Sequence, residues 1–273
     1  MVDAWPVLVD THCHLDFDAF DLDRAGVVDN ARKSGVKIII NPSVDIASCY
    51  RVVKTSELFP ELYAAVGVHP NEAETWSDQS VDSLRELALN PKVVAIGEIG
   101  LDYYWKRTPA ELQKRVLLEQ LLLAETLELP VIIHNRDASN DILAILSEWQ
   151  EGLVRSGSSL ANRPGVLHSF SGDALHAERA VEHNFLIGIT GPVTFKNAQA
   201  LQHLVAELSL EHFLVETDSP FLSPHPFRGQ RNQPGRVLLV AQKIAELHGC
   251  SLNDVANITT ANARRLFLWR EAL

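Results

Sequence analysis

The sequence predicts an α/β fold, a single (β/α)8 TIM-type barrel whose functional site lies at the carboxyl ends of its strands. Eight short apolar runs recur along the 273 residues, amphipathic segments separate them, and polar residues follow many of the runs. Runs that are apolar throughout are typical of parallel strands covered on both faces. Barrels of this kind occupy about 250 residues, so residues 1–273 are expected to form one domain. An open, doubly wound sheet would give a similar local pattern and is the alternative.

The predicted strands are the eight apolar, largely β-branched runs. In chain order they cover residues 7–10, 36–41, 63–68, 93–99, 130–134, 165–169, 185–189 and 213–217. The clearest helix signal begins at Thr108, which is expected to cap the helix, with Pro109 in its first position and Glu111 completing a capping box. A similar signal at Ser251 opens the final helix.

Composition narrows the class of protein. An apolar fraction of 46% with 22% charged residues describes an ordinary globular protein. Residues 1–6 lack the features of a secretion signal, no run is long enough to span a membrane, and three scattered cysteines fit a reducing compartment. We therefore expect a cytoplasmic protein without a membrane or obligatory protein partner. The net charge of −11 argues against nonspecific coating of nucleic acid but allows a local basic patch.

Histidines and carboxylates stand at the carboxyl ends of the predicted strands, where barrel enzymes assemble their sites. In chain order these residues are His12, His14, His69, Glu98, His134, His168 and Asp218. His12 and His14 are two residues apart on an extended segment, so their side chains project to the same side. A single histidine is more often structural, but this succession favours joint metal binding.

Six of these residues, all except His69, are predicted metal ligands. Six ligands exceed what one tetrahedral catalytic ion takes from a protein, so two divalent ions are expected, with Glu98 as the bridge. We assign His12, His14, Glu98 and Asp218 to the first ion, and Glu98, His134 and His168 to the second. Mixed imidazole and carboxylate ligands suit zinc, manganese or iron, and magnesium would prefer more oxygen ligands.

Two ions about 4 Å apart favour hydrolysis, because they lower the pKa of a shared water and stabilise the entering and leaving oxygens. Asp218 is the predicted catalytic residue that orients this water or accepts its proton, while Glu98 is held between the ions. The alternative for Asp218 is a helix cap before Ser219.

The motifs around these residues resemble those of the TatD-related deoxyribonucleases of the amidohydrolase superfamily, over nearly the whole chain. The matching segments are DTHCHLD at 10–16, GVHP at 67–70, GEIGLDY at 97–103, IHNRDA at 133–138, HSFSG at 168–172, ETDSP at 216–220 and RGQRN at 228–232. The resemblance implies a barrel with two divalent cations on the same six ligands. It also implies nuclease activity, often described as removal of nucleotides from 3′ ends. Asn135 and Gln230 depart mildly from the pattern, and Gln230 removes a positive charge from a loop expected to face substrate.

Two loops are expected to contact the substrate. The loop after the last strand carries Arg228 and Arg231, and the loop after the fourth strand carries Tyr103, Tyr104 and Trp105. Basic groups hold phosphates and aromatic rings stack on unpaired bases, so single-stranded DNA or a DNA 3′ end is the expected substrate. Packing beneath the loop is the alternative for these aromatic residues.

Three more residues are placed near the substrate. Arg136 is expected to add charge at the rim of the site, or to be a solvated residue at a helix start. His69 is expected to support the ligands or contact phosphate, and Asp102 to orient a ligand histidine or a water.

Three functions follow from this pattern. The first is a metal-dependent deoxyribonuclease of the 3′–5′ exonuclease type. The second is a metal-dependent hydrolase of a carbonyl ester or amide, such as a D-aminoacyl-tRNA deacylase, because an activated water attacks carbonyls too. The third, a noncatalytic binding protein, is disfavoured because no predicted ligand is missing.

Overall fold

The computed structural model describes residues 6–269; residues 1–5, which include most of the segment considered above for a secretion signal, and 270–273 lie outside the described part. Within it, eight parallel strands form one sheet in the order β1 to β8, with helices between them. The predicted barrel is confirmed. Among the helices of residues 6–269, none has the length and apolar character that a membrane crossing requires.

The eight predicted strands are all present, with different ends. Their bounds are β1 Leu8–Asp10, β2 Val36–Pro42, β3 Leu62–Val66, β4 Val93–Asp102, β5 Val131–Arg136, β6 Gly165–Leu167, β7 Leu186–Ile189 and β8 Phe213–Val215. Every residue of β4 is buried, as expected for a strand covered on both faces. This strand continues three residues beyond its predicted end because Leu101 and Asp102 pair with the end of β5.

The helices form the outer layer of the barrel. Their bounds are α1 Arg24–Lys33, α2 Ile46–Leu58, α3 Asp78–Leu87, α4 Ala110–Leu127, α5 Ser139–Ser156, α6 Ala174–Glu182, α7 Gln199–Glu207, α8 Val237–His248 and α9 Leu252–Phe267. The capping box predicted at Ser251 is confirmed. The one predicted at Thr108 is wrong: Pro109 is the N-cap, and the Thr108 hydroxyl donates to the Asn71 carbonyl instead.

Hydrogen bonds between the chain just after β1 and the last residue of β8, together with the residues that follow it, close the barrel. The Thr11 N–H donates to the Val215 carbonyl (3.2 Å), and the Asp218 N–H donates to the His12 carbonyl (2.8 Å). The His14 N–H donates to the Ser219 carbonyl (2.8 Å). The same contacts that close the sheet therefore bring His12, His14 and Asp218 together.

The two ends of the barrel are built differently. At the amino-terminal end, Phe267 at the end of α9 and Trp269 just beyond it join the apolar cluster inside the barrel, which includes Val9 and Ile40. Filling one end with aromatic rings leaves the carboxyl ends of the strands as the open end, which is the end that barrel enzymes use for chemistry.

Candidate metal centre

Four predicted ligands converge at the open end of the barrel. The Nε2 atoms of His12 and His14 lie 3.2 Å apart. Glu98 Oε2 lies 3.3 Å from His12 Nε2 and 3.6 Å from His14 Nε2. Asp218 Oδ1 lies 3.8 Å and 3.6 Å from the same two nitrogens. These separations suit donor atoms that each lie about 2.0–2.2 Å from one zinc-sized ion.

The environments of three of these donors also fit a divalent cation. His14 Nδ1–H donates to the Pro42 carbonyl (3.1 Å), which leaves the Nε2 lone pair for a metal. Burial and the nearby His168 lower the pKa of His12, which favours the neutral imidazole that metals bind. Burial opposes the charge of Glu98, but the neighbouring His12 and His134 outweigh it and hold its pKa well below the usual range.

Glu98 faces a second group of side chains with its other carboxylate oxygen. Oε1 lies 2.8 Å from His134 Nδ1 and 3.9 Å from His69 Nε2. The opposite nitrogen of His134, Nε2, lies 3.1 Å from Asp102 Oδ2. Burial disfavours a charge on His134, yet its bonds to Asp102 and Glu98 raise its pKa to about 9. Glu98 thus lies between two sets of imidazoles, the position that a bridging carboxylate requires.

His168 lies on the Asp218 side of the centre. Its Nε2 is 3.7 Å from Asp218 Oδ1, and its ring stacks on His12 with a centroid separation of 3.4 Å. The sequence predicts that His168 shares an ion with Glu98 and His134, whereas its nearest potential co-ligands in the structure are His12 and Asp218. The direction of the His168 ring explains this difference, because a buried carboxylate contacts its other nitrogen, Nδ1.

That carboxylate belongs to Glu216, which lies within the ETDSP motif but has no role predicted from the sequence. Glu216 Oε2 lies 2.9 Å from His168 Nδ1 and accepts a bond from the Ser169 N–H (3.0 Å), and Thr11 donates to Oε1 (3.2 Å). A Cβ at Gly188 would lie 2.3 Å from Oε2, so the absence of a side chain there makes room for Glu216. The available sequence signal was a carboxylate within the predicted eighth strand, two residues before Asp218.

Asp218 combines a charged side chain with an uncommon backbone. Burial disfavours its charge, but His14, His168 and His12 more than compensate, so its pKa is lowered and it stays ionised at neutral pH. Its φ of 54° lies in the left-handed region, where residues other than glycine are uncommon and often functional. The helix-cap alternative does not fit, because the next helical segment after Ser219 begins only at Pro234.

His69 is oriented as a hydrogen-bond donor. Its Nδ1 accepts a bond from the Asn71 N–H (3.1 Å), and burial together with His134 lowers its pKa to about 3. A neutral ring that accepts at Nδ1 carries its proton on Nε2, which faces Glu98. Although His69, Asp102 and His134 are close enough to form a metal site, this tautomer makes His69 a donor to an oxygen.

The predicted substrate residues lie around the open end in different settings. Arg136 is exposed, with its guanidinium 4.0 Å from the Tyr104 ring centroid, and Arg228 is exposed above the Phe195 ring at 4.6 Å. Tyr103 instead donates its hydroxyl to Asp141 (2.8 Å). It also lines a cavity of about 490 Å³ together with Asp102, Lys106 and Arg107. Arg231 forms a two-point ion pair with Asp23 at 2.9 and 2.6 Å.

Comparison with known proteins gives one consistent family. A family model described as TatD related DNase matches residues 9–268. The uncharacterized metal-dependent hydrolase YabD of Bacillus subtilis is 42% identical, over 96% of this chain and 99% of that protein. The uncharacterized metal-dependent hydrolase TatD of Mycobacterium tuberculosis is 35% identical, over 95% and 97%. The crystal structure of YjjV, a TatD homolog from Escherichia coli K12, superposes with a TM-score of 0.88 at 35% identity, over 96% and 98%.

Proposed function

This chain belongs to the TatD-related DNase family of metal-dependent hydrolases, and we propose that it cleaves phosphodiester bonds in DNA, removing nucleotides from single-stranded 3′ ends. The observation that carries the proposal is the position of Glu98, whose two oxygens face different imidazole groups at the open end of the barrel. A bridged pair of divalent ions is the arrangement that enzymes use for in-line displacement at phosphorus.

We assign the ligands as follows. His12, His14, Glu98 and Asp218 would hold the first ion. Glu98 and His134 would hold the second, with His168 beside Asp218 as the remaining imidazole of the centre. Zinc and manganese suit this donor set best, and magnesium is the third candidate.

The bound ions would supply a water of lowered pKa and positive charge for the oxygens of the reacting phosphate. Asp218 is ionised and would also be a ligand of the first ion, a position from which it would orient the attacking water and accept its proton. His69 Nε2–H donates a hydrogen bond to an oxygen of the substrate. Asp102 holds the Nε2 of His134, which fixes the direction of that ring.

A DNA strand is the proposed substrate because cations and aromatic rings flank this centre. Arg136 and Arg228 are exposed at the open end, where they would contact backbone phosphates. With a net charge of −11, the remaining surface repels nucleic acid, which would limit binding to this end. A small amide substrate has no phosphates for Arg136 and Arg228 to contact.

The test is hydrolysis of a 3′-labelled single-stranded oligonucleotide by protein stripped of metal and resupplied separately with magnesium, manganese or zinc. We expect release of labelled nucleotide with at least one ion, and a decrease of about 100-fold or more in Asp218→Asn. Asp82→Asn, an exposed change on α3, is the matched control and should keep the full rate.

Two outcomes would contradict the proposal. Full activity in Asp218→Asn would show that Asp218 is not needed to orient or deprotonate the attacking water. Absence of cleavage by fully metallated protein would overturn the proposal of nuclease activity. The alternative would then be hydrolysis of a carbonyl ester or amide, and aminoacyl-tRNA is the first compound to assay.

A further inference from the structure

Two exposed aromatic rings stand beside the Asp102 side of the metal centre. Tyr104 and Trp105 are 51% and 52% exposed and meet edge to face at 5.0 Å, so neither is packed beneath its loop. The backbone N–H groups of both residues donate to Asp102 Oδ1 at 3.0 Å. Because the other oxygen of Asp102 contacts His134, this first aromatic wall is fixed relative to the candidate ligands. Arg136 lies over both rings, at 4.0 and 5.5 Å from their centroids.

A second aromatic wall, formed by Phe17 and Phe221, stands beside the His14 side of the centre. Phe17 stacks on the His14 ring at a centroid distance of 4.7 Å, and Phe221 meets Phe17 at 6.1 Å. Phe221 is 52% exposed, and its backbone N–H donates to the Asp218 carbonyl (2.8 Å). The Phe221 ring also lies 6.4 Å from the His14 ring, so these two phenylalanines give an apolar surface next to the candidate ligands.

The order of the strands places these walls opposite each other. The first wall follows β4 and has Arg136 of β5 against it, and the second follows β1 and β8. In a closed barrel of eight strands in sequential order, the β4–β5 position is diametrically across from β8–β1. The candidate metal centre therefore lies between two aromatic surfaces.

We propose that the two walls stack two successive unpaired bases, one on each side of the scissile phosphate. The ligand of the open end is then a dinucleotide step of a single strand, splayed so that each base covers one wall while the phosphate lies over the metal centre. Every base has an aromatic face, so this contact selects unpaired strands without reading their sequence. In a duplex both faces of an internal base are already stacked, which excludes this mode of binding. The inference rests on the proposed nuclease function and specifies its substrate.

The first measurement is the affinity of the metal-stripped protein for a short fluorescent single-stranded oligonucleotide, which does not depend on cleavage. Trp105→Ala and Phe221→Ala are each expected to weaken binding by roughly 5- to 150-fold, the range of one base-stacking contact. Tyr50→Ala is the matched control, because Tyr50 is a similarly exposed aromatic residue (48%) on α2, outside both walls. All three side chains are exposed, and thermal unfolding checks that each variant is folded.

The second measurement is cleavage by metal-loaded protein of oligonucleotides that carry an abasic residue on one side or the other of the scissile phosphate. The rate penalty of Trp105→Ala should vanish with one abasic substrate, and that of Phe221→Ala with the other. The stacking proposal would be overturned if Trp105→Ala and Phe221→Ala weakened binding no more than Tyr50→Ala does. It would also be overturned if their effects on the cleavage rate were the same with both abasic substrates as with the intact strand.

The two measurements separate this proposal from the nuclease proposal. Binding that depends on both walls, without cleavage in any metal, would keep the stacking surfaces and reject the nuclease. Cleavage that is insensitive to both wall variants would keep the nuclease and reject the stacking. Neither binding nor cleavage would reject both.

Discussion

Replacing Gly188 by alanine should weaken metal binding without touching a ligand. The new Cβ would lie 2.3 Å from Glu216 Oε2, whereas ordinary contacts begin at 3.4 Å, so the carboxylate must move by the difference, about 1.1 Å. A shift of that size away from His168 would lengthen the 2.9 Å contact to about 4.0 Å, beyond hydrogen-bond distance. Loss of a partner that orients a metal-binding histidine costs about 10- to 100-fold in affinity, and overpacking costs about 1–3 kcal/mol of stability.

The assay is a titration of metal-stripped Gly188→Ala with manganese or zinc, followed calorimetrically, together with its thermal unfolding. Gly26→Ala is the matched control, because a Cβ at Gly26 on α1 has no heavy atom within 4 Å. That control should keep metal affinity and gain about 0.5–1 kcal/mol of stability, since alanine is the better helix former. Glu216→Gln keeps the volume and removes the charge, so it should lose affinity without the steric cost.

A Gly188→Ala protein that binds metal as tightly as the parent would refute this reasoning. It would mean either that Glu216 moves without disturbing His168 or that His168 does not contribute to metal binding. His168→Ala distinguishes these cases, because normal affinity in that variant removes His168 from the centre.

Four further results are expected. Glu98→Gln should lower metal content and reduce the hydrolytic rate by more than about 100-fold, with circular dichroism showing an intact fold; unchanged metal content would exclude the bridging role. Removing cations with a chelator should lower the midpoint of thermal unfolding by roughly 5–10 °C relative to protein at 100 times the dissociation constant, and an unchanged midpoint would argue against a metal in the folded state. Burial raises the pKa of Cys49 to about 12, so at pH 8 a disulfide reagent should modify only the partly exposed Cys250, and all three thiols should react only in guanidine. Arg231→Ala should lower thermal stability more than oligonucleotide affinity, because this side chain is engaged in a two-point ion pair, and Arg228→Ala should do the reverse.

The strands were predictable because a strand that is buried on both faces is apolar at nearly every position. Uninterrupted apolar runs identified all eight, whereas their ends depended on pairing that no run encodes, as at Asp102 on β4. The false cap at Thr108 has a related cause. Its hydroxyl bonds to Asn71, a residue that is distant in sequence and near only in the closed barrel.

The candidate site was predictable in its donor types but only partly in its grouping. Position at a strand end was enough to nominate His12, Glu98 and Asp218, since the fold brings all strand ends together. The neighbours of His168 depended on the carboxylate of Glu216, whose bond to Nδ1 sets the direction of the ring. The sequence did not identify Phe17 and Phe221 as site residues, because apolar residues in loops give the same sequence signal whether they pack inward or face solvent.

Closure of the barrel by the chain after β1 and the chain after β8 has a consequence for biosynthesis. The ribosome synthesises His12 and His14 long before Asp218, and Asp218 reaches the histidines through hydrogen bonds made at the last seam of the sheet. The nascent chain therefore has no complete first set of ligands until β8 has docked. Metal binding would then follow folding, and a bound ion would stabilise the folded barrel by linking the residues that follow its first and last strands.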